Sequence, residues 1–76
     1  MSSTTTNREL ADRARQLAER SAGLQRRAAL CASVALGTTG TVGAARNALA
    51  DVLQGDVRDA AMDLVGQLAA STRSTT

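Results

Sequence analysis

Apolar residues recur along the first half of the chain with a helical spacing. Leu10, Leu17, Leu24 and Cys31 repeat every seven residues, and Ala14, Ser21, Ala28 and Ala35 form the neighbouring row four residues on. Residues so spaced lie along one side of a helix, so the pattern predicts a single stripe from Leu10 to Ala35. In front of it, Thr6-Asn7-Arg8-Glu9 fits a capping box, in which the Thr hydroxyl and the Glu carboxylate satisfy free backbone donors. Gly23 falls inside the stripe and costs about 1 kcal/mol there. The spacing nevertheless passes through in phase, so continuity is expected.

Gly37-Thr38-Thr39-Gly40 then interrupts the pattern, with Gly37 placed to cap the first helix and Thr39 or Thr41 to cap the next. A second stripe follows: Val42, Ala45, Leu49, Leu53, Val57, Ala61 (or Ala60), Leu64 and Leu68. Gly55-Asp56 offers a fresh helix start, but the phase again holds across it. The reading is two helices, at about 8–36 and 42–70, each roughly 43 Å long. Folding back at Thr38-Thr39 sets Leu10 opposite Leu68, Leu17 opposite Ala61 and Leu24 opposite Leu53.

The expected class is therefore all-α, a long antiparallel helical hairpin. Two helices leave their outer stripes half wet, so two hairpins are expected to pair into a four-helix bundle. The interaction seam would be Leu10, Leu17, Leu24, Cys31, Leu49, Leu53, Val57, Leu64 and Leu68. Residues 1–6 and 71–76 have almost no apolar side chains to offset the entropy of ordering, and are expected to be disordered tails around one domain, 7–70.

Composition sharpens the expectation of pairing. The apolar residues are sixteen Ala, nine Leu, five Val, two Met and one Cys, with no Ile and no aromatic residue. Alanine removes little area from water, so a monomer of 76 residues is expected to be marginal. One cysteine excludes an internal disulfide, and the lack of histidine leaves no common zinc set. Self-association remains, so the expected partner is a second copy or another helical protein. Cys31 lies on the stripe as a small hydrophobe; its sharper reading is a disulfide across a dimer seam.

Charge adds a second candidate surface. Nine arginines and no lysine face seven acids, for a net charge of +2, a weak footprint for nucleic acid. The exclusive use of arginine reads as coding bias in a GC-rich genome. Arg8–Asp12, Glu9–Arg13 and Arg15–Glu19 are surface pairs at helical spacing. No acid occurs between Glu19 and Asp51, and Arg20, Arg26, Arg27 and Arg46 fall in that stretch. Besides a solvated basic end, these arginines allow contact with an acidic partner or with phosphate. Without aromatic residues to stack bases, only backbone or shape contact with a nucleic acid is open to them.

Catalysis is not expected. The chain has no His, Lys, Tyr or Trp, and Cys31 has no base beside it. Asp59 and Asp63, with Asp56 near, lack the acid–His pairs of helical di-metal sites. No enzyme activity, metal or cofactor follows from these residues.

Ala28 to Ala45 carries no charge over eighteen residues, with Arg26-Arg27 before it and Arg46 behind. That length allows a single membrane span with the amino end in the cytoplasm. Against a span, only Leu30, Cys31, Val34, Leu36 and Val42 are strongly apolar, and Gly-Thr-Thr-Gly lies at the centre. A twin-arginine export signal over the same stretch would leave about thirty residues after cleavage, too few to fold alone. A cytoplasmic protein is the expectation, with the inner membrane as the alternative.

Overall fold

The computed structural model describes residues 6–73 as four helices: α1 (Asn7–Arg20), α2 (Gly23–Thr38), α3 (Val42–Val52) and α4 (Gly55–Arg73). The architecture is all-α, with helices packed against helices as in a four-helix bundle. One chain supplies all four. Each of the two expected rods is broken once, at Ser21-Ala22 and at Leu53-Gln54, which corrects the expectation of continuity. The longest axis of the molecule is 39 Å, shorter than an unbroken rod of the expected length.

Both breaks use the same parts. Ser21 and Ala22 are extended, with ψ of 169° and 161°, and Gly23 follows at φ +61°. Leu53 is extended at ψ 158°, and Gly55 follows at φ +67°. An L side chain rarely takes that left-handed conformation, whereas glycine takes it freely. At the first break the Ser21 hydroxyl donates to the Leu17 carbonyl at 2.8 Å, and the Ser21 N–H donates to Ala18. At the second, the Leu53 N–H donates to the Leu49 carbonyl at 2.9 Å. The last carbonyls of α1 and α3 thus keep partners while the chain turns.

The helix starts follow the sequence more closely. The Thr6 hydroxyl accepts from the Glu9 N–H at 3.3 Å, and the Thr41 hydroxyl accepts from the Ala44 N–H at 3.1 Å. Thr41, rather than Thr39, therefore caps α3. Gly37 is not the cap of α2, which continues to Thr38 and ends at Thr39, whose hydroxyl donates to the Ala35 carbonyl at 2.7 Å.

Breaking the rods changes which helices meet. The first helix folds back antiparallel on the second: the Ser33 hydroxyl donates to the Ala11 carbonyl at 2.9 Å, and Asn7 Nδ2 donates to the Thr39 carbonyl at 3.1 Å. The register drawn from a single fold at Thr38-Thr39 is thereby replaced, because α1 packs far more extensively on α2 than on α4. Helix α2 is the central element and touches the other three. Its core face is Ala28, Ala29, Ala32, Ala35 and Leu36. The common core adds Leu10, Ala14 and Ala18 from α1, Ala45 and Leu49 from α3, and Ala61, Leu64 and Val65 from α4. Small side chains on facing helices let the backbones come close, which is how so short a chain closes a core without aromatic residues.

The break at 39–41 also divides the uncharged block. Ala28 to Thr38 belongs to α2 and Val42 to Ala45 to α3, and six of its residues (Ala28, Ala29, Ala32, Ala35, Leu36 and Ala45) are buried in the chain's own core. Among the described residues no helix is long and apolar enough to cross a membrane. Of the expected tails, residues 1–5 and 74–76 lie outside the described residues, while Ser71 continues α4.

Candidate interaction groove

The uncharged block has a second consequence on the outside of α2. A surface helix needs one apolar side, facing the core. In α2 the opposite side is apolar too, because no charge occurs from Ala28 onwards. Leu30, Val34 and Thr38 follow one another at four-residue spacing along that side, and Leu30 and Val34 are 46% and 66% exposed. Val52, on α3, is 77% exposed. Between the two helices lies an open groove of about 340 Å³, walled by Leu30, Cys31, Val34 and Ala35 on one side and Leu49, Val52 and Leu53 on the other. The Thr38 hydroxyl at its edge donates to the Val34 carbonyl at 2.9 Å. It is thus engaged within its own helix and adds little polarity. Cys31 is a free, half-buried thiol in the groove wall.

One end of the groove is basic. Arg26 and Arg27 share a recess with Gly23, Leu30 and Cys31, so the two arginines and the apolar walls form a continuous surface. Both are exposed. Among the described residues one ion pair closes within 4 Å, Arg58 Nε to Asp59 Oδ1 at 3.7 Å. The expected pairs Arg8–Asp12, Glu9–Arg13 and Arg15–Glu19 stay open; all six side chains are in water, where closing them gains little.

The seam residues are divided by this arrangement. Leu10, Leu49 and Leu64 are buried in the chain's own core, while Leu17, Cys31, Leu53, Val57 and Leu68 are half-buried. Leu24 is 43% exposed beside the first bend. The heptad row did not identify Leu36 and Val65, the largest fully buried side chains. Leu36 lies four residues after Ala32, and Val65 four after Ala61, so rows through the buried alanines would have found both. Val52 and Val34, the most exposed of the large apolar side chains, were also missed, because neither belongs to a core stripe.

The four arginines do not form one cluster. Arg20 ends α1, and Arg26 and Arg27 lie in the first turns of α2, at the bend between those helices. Arg46 lies on α3 just past the 39–41 bend. Arg27 and Thr38 are separated by about 17 Å of helix, so Arg26 and Arg27 lie at the opposite end of α2 from the bend that Arg46 follows. The carboxylates of α4 are exposed; Asp63 accepts from Gln67 Nε2 at 2.9 Å. Among the described residues no three metal-ligating side chains converge.

Comparison of the chain with known protein families, with characterised proteins and with solved structures found no match.

Proposed function

We propose that this chain is a non-enzymatic helical interaction module that receives a helix of another protein in the groove between α2 and α3. The observation that carries the reading is the second apolar side of α2. Leu30 and Val34 stand in water on a helix whose opposite side already fills the core, and Val52 faces them across the groove. Contiguous apolar surface of this kind marks an interaction site in a small domain. A groove between two helices suits the apolar face of a third, read as anchors at i, i+3 or i+4, and i+7.

Self-association, expected from the thin apolar inventory, is not required to close the bundle. The four helices that two hairpins would have contributed come from one chain. The test is fluorescence anisotropy of a labelled, leucine-based amphipathic helical peptide titrated with the protein. Saturable binding by the parent chain is expected, lost in Val34→Asp with helicity unchanged. A folded protein that binds no such peptide overturns the reading.

A further inference from the structure

We propose that the helix taken up by the groove is acidic at one end, with carboxylates that meet Arg26 and Arg27. The inference rests on the helix-binding reading and adds the chemistry and polarity of the partner. Three observations carry it. Arg26 and Arg27 line a recess continuous with the apolar walls through Leu30 and Cys31. Neither guanidinium has a carboxylate within ion-pair distance among the described residues. The sequence supplies none nearby on α2, since Arg20 to Ala50 contains no acid, and Asp51 is the one carboxylate on the two groove helices.

The same facts select against a second copy of this chain. Groove to groove in parallel, the two-fold would set α2 of one copy against α3 of the other, and the one carboxylate available to Arg26 and Arg27 would be Asp51. Antiparallel, they would face the uncharged Thr38–Thr41 end. The first offers one carboxylate to two guanidiniums and the second offers none. The carboxylates of α4 cannot serve from a second copy either. The apolar side of that helix, Ala61, Leu64 and Val65, is buried in its own core, so it has no stripe to offer the groove. A helix from another protein, with an apolar stripe and an acidic end, satisfies both surfaces. From Leu30 to Thr38 the groove follows about 12 Å of α2, so two to three turns of partner helix fill it and one more reaches the arginines.

The experiment compares two labelled peptides with the same leucine stripe, one ending in a pair of glutamates and the other in a pair of lysines. Affinity is read by anisotropy and occupancy by the rate at which a thiol reagent labels Cys31, the one cysteine of the chain. The glutamate peptide is expected to bind roughly tenfold tighter, the gain from two exposed ion pairs, and to slow labelling. The double variant Arg26→Glu, Arg27→Glu is expected to reverse the preference. Val34→Asp, or Val52→Asp on the opposite wall should the first disturb folding, is expected to abolish binding of both peptides. Equal affinities overturn the charged end and leave the helix-binding reading standing. Failure of both peptides to bind overturns both. A dimer that shields Cys31 without peptide replaces the partner with a second copy. Duplex RNA that binds through the arginines and is indifferent to Val34→Asp assigns them to nucleic acid and overturns the proposal.

Discussion

At Gly23 and Gly55 an added methyl group meets nothing within 4 Å, yet both residues stand at positive φ, +61° and +67°. Space does not decide the outcome there; backbone conformation does. Gly37 and Gly66 are the converse case. They lie inside α2 and α4 without positive φ, and a Cβ at Gly37 would touch the Ala11 Cβ at an ordinary 3.8 Å, while one at Gly66 would meet nothing. Gly66→Ala is expected to stabilise the fold by about 0.5–1 kcal/mol, because alanine holds a helix better than glycine. Gly23→Ala and Gly55→Ala are each expected to destabilise it by about 1 kcal/mol or more. Urea denaturation followed by far-ultraviolet circular dichroism reads both signs. Gly55-Asp56 was legible as a possible helix start, but the sign of φ at Gly23 was not. Gly23 and Gly66 look alike in sequence, and the sign of φ is fixed by the chain's need to turn there.

Between elements, a heptad row proves to be an ambiguous guide. Leu10, Leu17, Leu24 and Cys31 keep their phase across Ser21-Ala22, yet past the bend the row leaves the core: Leu24 is exposed and Cys31 lies in the groove wall, while Ala28, Ala32 and Leu36 face inward. The caps were legible because they are local: Thr6 and Thr41 accept from the backbone three residues on. The packing partner of each helix was not, because it depends on the two bends. Truncations separate the buried row from the heptad row. Leu36→Ala, at a fully buried side chain on the central helix, is expected to cost about 2–5 kcal/mol. Leu24→Ala, at an exposed position, is expected to cost less than about 1 kcal/mol. Similar losses at the two sites would restore the continuous seam.

For the whole molecule, the uncharged stretch from Ala28 to Ala45 was legible as the unusual part of the chain, but its meaning was not. In the folded chain it supplies the core face of the central helix, the 39–41 bend and one wall of the groove. A periodicity argument assigns each helix one apolar side and so leaves the second side of α2 without a role. With the bundle closed by one chain, light scattering in buffer without detergent is expected to give the mass of a 7.8 kDa monomer. A concentration-independent dimer would mean that the groove closes on a second copy.

The pairing of α1 with α2, its nearest neighbour along the chain, also sets a time. Their contacts join residues separated by a two-residue bend and at most two short helices, so little loop entropy opposes their formation. Low contact order places helical bundles among the fastest folders, in microseconds to milliseconds. Refolding of this chain is therefore expected to finish within the mixing time of a conventional stopped-flow instrument, and to be resolved by a temperature jump. The two walls of the groove, α2 and α3, are joined across the three-residue 39–41 bend and are expected to close on the same timescale.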